Sequence, residues 1–273
     1  MISISKYHGL GNDFIITTFE EVKDIDLSTF SIAVCDRHTG IGADGIIIVK
    51  EKPLEMIYYN SDGSRAKMCG NGIRCFVKYC VDNTIIISKE ATISTLAGDI
   101  HIKIDSIEPF MVTVNMGIPD FSSKSIPVIT DNQTFINQVL LLDGLEYNIS
   151  SLLMGVTHTC LEVTDLEKTN MIQLGKEIQK LDMYPKSTNV NFYQIISPNQ
   201  VKMQTYERGA GLTLACGTGA CSVYALLKKT NKTISEIEII LPRGSLFISH
   251  KGEEILMKGP AERVMVGYYE VTK

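Results

Sequence analysis

Residues 54–81 read LEMIYYNSDGSRAKMCGNGIRCFVKYCV and residues 200–229 read QVKMQTYERGAGLTLACGTGACSVYALLKK. Both stretches carry Cys-Gly-x-Gly, at Cys69 and at Cys216. Nine residues before each cysteine, a polar group closes an alternating, strand-like run: Asn60 in the first stretch and Glu207 in the second. After each cysteine the apolar residues fall at helical spacing and in the same phase. Ile73, Phe76, Val77 and Cys80 lie at i, i+3, i+4 and i+7, as do Ala220, Val223, Tyr224 and Leu227. That spacing is the stripe of a helix facing a core.

The match continues downstream, where Gly98 and Gly244 each mark a hairpin between alternating strands. The chain therefore reads as two copies of strand, polar glycine-rich loop, helix and hairpin. Strands are expected at 2–6, 45–50, 111–115, 188–196, 255–258 and 264–271, and helices at 28–37 and 170–179. IPDFSSKSIP (118–127) reads as a linker, so the first copy ends near Gly117. The expected class is α+β, with two similar lobes, 1–117 and 118–262. Each is a mixed or antiparallel sheet wrapped on a central helix, and the copies are related by a pseudo-twofold.

Composition narrows the function. The chain has 273 residues, 44% of them hydrophobic, enough for a sizeable core without disulfide or metal staples. No apolar run approaches the ~20 residues of a membrane span. The N-terminus shows no basic segment followed by an apolar stretch, so no export signal is expected. The formal charge is −5 and no Lys/Arg cluster stands out, which speaks against nucleic acid and anionic membrane as partners. Seven irregularly spaced cysteines without a Cys-x-x-Cys pair fit a reducing cytoplasm and no metal site. Gly40-Ile-Gly42-Ala-Asp-Gly45 matches a dinucleotide-binding pattern, but here the glycines follow a helix and precede a strand, the reverse of what such a site needs. Cys35, Cys75, Cys80, Cys160 and Cys221 read as packing residues. His38, His101 and His250 read as surface or turn residues, Asp13 and Asp44 as braces of the glycine turns, and Arg74 and Lys78 as the solvated face of their helix.

A Cys-Gly-x-Gly segment opening a helix lets a ligand approach the backbone and offers it unpaired N–H groups. The helix dipole favours thiolate at the cysteine. Two such sites on opposite sides of a shared cleft suit inversion of a centre next to a carboxylate. One thiolate takes the α-proton, one thiol returns a proton to the other face, and the helix N–H donors stabilise the enolate-like intermediate.

These segments carry a family resemblance. HGLGNDF (8–14), TGIGADG (39–45), YYNSDGS (58–64), MCGNGIRC (68–75), TNVNF (188–192), YERGAG (206–211) and ACGTGA (215–220) resemble those of the diaminopimelate epimerases, in order and over essentially the whole chain. The resemblance implies a cofactor-independent racemase that interconverts LL- and meso-diaminopimelate for lysine and peptidoglycan-precursor synthesis, with Cys69 and Cys216 as acid and base. It implies that Gly70, Asn71, Gly217 and Thr218 bind the reacting carboxylate. Asn12, Asn60, Asn189, Glu207 and Arg208 would hold the amino groups and distal carboxylate, and His158 and Glu207 would adjust the thiol pKa values. It further implies a homodimer and a final strand, 263–273, that returns to the first lobe.

Gly45 stands where many members have Gln, and Val156-Thr157 replaces Asn-Pro before His158. Two substrate contacts of those members are then absent or supplied by backbone, which keeps a racemase of another amino acid, histidine among them, in view. The non-enzyme alternative is a thiol-redox-regulated binding protein. Arg208, Glu207 and three asparagines match a diamino-dicarboxylate. A small apolar amino acid would leave them unpaired at about 1–3 kcal/mol each if buried.

Overall fold

A computed structural model describes residues 1–142, 144–233 and 235–271. The chain divides into two compact units, Met1–Asn115 with Lys258–Lys273, and Met116–Met257. The sequence reading set these divisions after 117 and after 262.

The first unit starts with an antiparallel pair, β1 (Ile2–Gly9) and β2 (Asn12–Thr18). Two helices, α1 (Phe19–Val22) and α2 (Leu27–Cys35), lead to β3 (Gly45–Lys50), which lies parallel to β2. β4 (Glu55–Asn60) runs antiparallel to β3, and the short β5 (Arg65–Ala66) antiparallel to β4. Then come α3 (Gly70–Asp82), β6 (Glu90–Thr95), β7 (Gly98–Ile107) and β8 (Phe110–Gly117), with β6–β7 and β7–β8 antiparallel. β3 reads GIIIVK because both its faces are covered. Ile46 and Ile48 pack with Phe30 and Val34 of α2, whereas Ile47 approaches Gly72 of α3.

The second unit repeats this order. β9 (Phe135–Leu142) precedes the antiparallel pair β10 (Leu145–Met154) and β11 (Val156–Glu162). α4 (Met171–Gln179) crosses to β12 (Asn189–Ser197), parallel to β11, and β13 (Gln200–Glu207) runs antiparallel to β12. β14 (Gly211–Thr213) pairs with β13 and leads to α5 (Gly217–Lys229). β15 (Ile237–Leu241), parallel to β13, and β16 (Gly244–Lys251) form the hairpin beyond, followed by β17 (Glu254–Pro260). The last strand, β18 (Glu262–Tyr269), belongs to the first unit and pairs antiparallel with β1.

Element by element, β1-β2-α2-β3-β4-β5-α3-β6-β7 matches β10-β11-α4-β12-β13-β14-α5-β15-β16, parallel and antiparallel pairings included. The class is α+β. The duplication extends upstream of the repeat read in the sequence, to β1 and β10. Three features differ from expectation. β2 and β9–β11 were not among the expected strands; in β10 and β11 the buried residues include Ser150, Ser151, Thr157, His158 and Thr159, so they do not alternate apolar with polar. Arg74 is not on a solvated face but fully buried, where its Nε donates to Pro260 O (3.0 Å) and its Nη1 to Gly70 O (3.1 Å). Gly9 makes room for it, since a Cβ there would lie 2.8 Å from Arg74 Nη2. Lys78 is largely buried, paired with Asp82 and 5.3 Å from the centre of the Phe110 ring.

Candidate active site

In each unit a cysteine occupies the same point of the fold, the N-cap of the core helix. Cys69 caps α3 with φ −134° and ψ 122°, and Cys216 caps α5 with φ −130° and ψ 103°. The extended cap residue turns the first-turn N–H groups outward, where no intrahelical carbonyl reaches them. Gly72 and Gly219, three residues on, permit close packing. A Cβ on Gly72 would meet Ile47 Cδ1 at 3.3 Å, and one on Gly219 would meet Asn191 Oδ1 at 2.4 Å.

In the first unit Cys69 Sγ accepts from Gly72 N–H at 3.3 Å and lies 3.9 Å from Asn12 Oδ1. Asn71 Nδ2 donates to that same oxygen at 3.0 Å, so Cys69, Asn12 and Asn71 form one linked group. Asn12 is held from the far side by Asp44, whose Oδ2 accepts from Nδ2 at 2.5 Å. Asp44 belongs to a charged brace. Arg37 bonds Asp13 and Asp44 at 2.8 Å each, and Lys6 bonds Asp13 at 2.8 Å. Burial works to raise the Asp13 carboxyl, but Arg37 and Lys6 together hold it below the usual range. Asn60 stands at the end of β4, opposite Gly45. Its Oδ1 accepts from Tyr58 OH (2.8 Å) and its Nδ2 donates to Ser64 Oγ (2.9 Å). A side chain at Gly45 would collide with the Tyr58 ring and with the Tyr59 carbonyl oxygen, each at 2.6 Å.

In the second unit Cys216 is buried, 5% exposed, with Thr218 Oγ1 at 3.6 Å. Burial first, and the Glu207 carboxylate second, push its thiol well up; the Thr218 hydroxyl and Gly219 amide oppose this without cancelling it. The helix dipole favours thiolate, but desolvation wins here, and Cys216 is held as a thiol. Glu207 is positioned by Thr213, whose hydroxyl donates to Oε1 at 2.6 Å. Asn189 Oδ1 accepts from Arg208 N at 2.8 Å, and Arg208 Nη1 donates to Lys186 O at 2.7 Å. His158 is fully buried on β11, and burial lowers its pKa to about 3, so the imidazole is neutral near pH 7.

Each set is thus assembled within its own unit: Asn12, Asn60, Cys69, Gly70 and Asn71 in the first, and His158, Asn189, Glu207, Arg208, Cys216, Gly217 and Thr218 in the second. Sequence reasoning missed Asn191. It lies two residues beyond Asn189 on the same face of β12 and bonds His158 Nδ1 at 3.1 Å.

The diaminopimelate epimerase family model matches residues 4–122 and 150–264. The chain belongs to this family. It is 40% identical to the diaminopimelate epimerase of Alkaliphilus metalliredigens, over 98% of this chain and 97% of that one. To the diaminopimelate epimerase of Clostridium perfringens it is 38% identical, over 98% and 99%. Solved structures share the fold at low identity. A probable proline racemase from Agrobacterium radiobacter K84 superposes with a TM-score of 0.73 at 13% identity, covering 100% of this chain and 94% of that one. A PhzF-family phenazine biosynthesis protein from Bacillus anthracis gives 0.71 at 14% identity, covering 99% of each. No described helix is long and apolar enough to cross a membrane.

Proposed function

We propose that this member of the epimerase family interconverts LL- and meso-2,6-diaminopimelate by two-base proton transfer, with Cys69 and Cys216 as the pair. The observation that carries the reading is the duplicated N-cap. Two cysteines stand at matching points of two matching units, each opening a helix with Gly-x-Gly. Their surroundings differ. Cys216 is held as a thiol, and half-buried Cys69 accepts an N–H bond that suits a thiolate.

The Cys69 thiolate takes the α-hydrogen as a proton, and the C–H electron pair moves into the adjacent carboxylate. First-turn N–H groups, at Gly70–Asn71 and Gly217–Thr218, stabilise the charge that develops there. The Cys216 S–H delivers its proton to the opposite face of the α-carbon. The product leaves with inverted configuration, and the enzyme is left with Cys69 as thiol and Cys216 as thiolate, ready for the reverse direction. Asn12, Asn60, Asn189, Glu207 and Arg208 hold the far amino and carboxylate groups. The seven free cysteines accord with a cytoplasmic setting, and a homodimer is the expected assembly.

The test is stereochemical. Purified protein under reductant, with no added pyridoxal phosphate or metal, is given pure LL-diaminopimelate, and the meso isomer is followed by chiral chromatography. A panel with histidine, proline and alanine runs in parallel. Conversion of histidine in preference to diaminopimelate would reassign the substrate, and no conversion of any amino acid would sink the reading.

A further inference from the structure

The two units place different residues in one slot. β2 pairs with β3 so that Phe14 faces Gly45, and β11 pairs with β12 so that His158 faces Asn189. Counting two residues along, Ile47 of β3 matches Asn191 of β12. Both meet the third residue of the helix after the cysteine: Ile47 beside Gly72, Asn191 beside Gly219. The first unit therefore fills this layer with Phe14 and Ile47, both fully buried and apolar. The second fills it with His158 and Asn191, both fully buried and polar. The fold does not require polar groups there, so the pair is accounted for by what it does.

The hydrogen bonds fix how it is oriented. Asn191 Nδ2 faces His158 Nδ1 at 3.1 Å and the Thr159 carbonyl at 3.5 Å. A carbonyl only accepts, so the amide nitrogen, not its oxygen, belongs on that side. Asn191 Oδ1 is turned the other way and accepts from Thr205 Oγ1 at 2.9 Å. His158 Nδ1 then accepts, and a neutral imidazole carries its one proton on Nε2. Nε2 is buried and has no hydrogen-bond partner among the described residues. A buried donor without a partner is unfavourable until an acceptor arrives.

We propose that Asn191 is a positioning residue that locks His158 in the Nε2–H tautomer, so that its neutral Nε2–H is held ready as a hydrogen-bond donor for an acceptor that forms during the reaction, a thiolate on the two-cysteine reading. This rests on the two-cysteine reading above and says how His158 adjusts a thiol. Donation from Nε2–H stabilises the thiolate and lowers the thiol's pKa. The other tautomer would present a lone pair and do the opposite.

The tautomer is readable without any assay. Long-range proton–nitrogen correlation spectra of histidine-labelled protein near pH 7 distinguish a protonated Nε2 from a protonated Nδ1. We expect Nε2–H for His158 in the unaltered protein; Nδ1–H overturns the proposal. In Asn191→Asp the carboxylate accepts from Nδ1, and the tautomer should switch. There kcat should fall roughly tenfold or more, as when a catalytic imidazole is held in the wrong tautomer, with KM nearly unchanged. Asn191→Leu keeps the volume, removes the donor and should lower kcat likewise, which carries the kinetic arm if the Asp variant does not fold. Wild-type kcat in either variant overturns the proposal. Should the unaltered protein show Nε2–H yet epimerise nothing, the tautomer assignment stands and the functional reading falls.

Discussion

Arg74 and His158 show how far a residue's burial can depart from its type. Arg74 reads as a surface residue because nothing in the helix pattern reveals Gly9, the neighbour whose missing side chain admits the guanidinium. Arg74→Ala would remove the bond to the Pro260 carbonyl and leave a cavity, so unfolding free energy should drop by about 3 kcal/mol or more in denaturant melts. His158 makes a pH-dependent contribution with a definite sign. Its folded pKa, about 3, lies below the unfolded value of about 6.5, so between these the unfolded chain binds a proton that the native state refuses. Its stabilising contribution is complete above pH 6.5 and is lost as pH falls toward 3, by up to about 1.4 kcal/mol per pH unit. Chemical denaturation of the parent and His158→Gln should diverge across that window; parallel curves would place the titration elsewhere. Arg208 is exposed and anchored at one nitrogen by Lys186 O. A planar fork holds a carboxylate in a way that an ammonium cannot, so Arg208→Lys should lose most kcat/KM on diaminopimelate and keep its melting temperature. Full activity in that variant would remove Arg208 from the substrate site.

The apolar patterns of α3, α5 and β3 were legible in the sequence; β2 and β9 were missed although they bury Phe14, Ile15, Ile16, Phe135 and Leu140, and β10 and β11 bury polar groups as well. α3 and α5 announce themselves through four apolar residues in phase, and β3 through an unbroken GIIIVK. β10 and β11 do not, because their interior carries a hydroxyl network: Ser151 with Thr159 at 3.0 Å and with Tyr184 at 2.8 Å, and Thr159 with Thr188 at 2.9 Å. The candidate site divides in the same way. Both cysteines, their glycines and Asn60, Glu207 and Arg208 are visible as motifs. Asn191 and Asp44 matter through partners remote in sequence, His158 and Asn12, and only pairing across strands reveals them. At this scale the helix start is the vulnerable point. Gly219→Ala would place a methyl group 2.4 Å from Asn191 Oδ1 and 3.2 Å from Cys216 Sγ. Ala suits a helix interior better than Gly by about 1 kcal/mol, so the variant should still fold. The collision must displace Asn191 or the thiol, and kcat should fall at least roughly tenfold, as for other misplaced catalytic groups. Unchanged kcat would mean that this packing is irrelevant to chemistry.

At the scale of the whole molecule, the proposed mechanism assigns each half of the duplication one half of one reaction, a cysteine and a helix start apiece. If each cysteine serves one face of the α-carbon, each removes the α-hydrogen of only one stereoisomer. Inversion needs both, so replacing either cysteine by Ala should abolish it in both directions. The surviving thiolate can still remove a proton from its own face and return a solvent deuteron there. In D2O, Cys69→Ala should therefore exchange the α-hydrogen of one isomer without inverting it, and Cys216→Ala should exchange that of the other. Exchange will be slower than turnover, most of all in Cys69→Ala. The thiol left there is the one that burial and Glu207 hold protonated, and its thiolate fraction limits proton removal. In Cys216→Ala the remaining Cys69 keeps its Gly72 N–H bond, so exchange should be the faster of the two. NMR of the α-hydrogen, with each pure isomer and each variant, reads both the face and the rate. If either variant inverts the centre at near wild-type rate, that cysteine is neither acid nor base, and the matching of the two units has no counterpart in the chemistry.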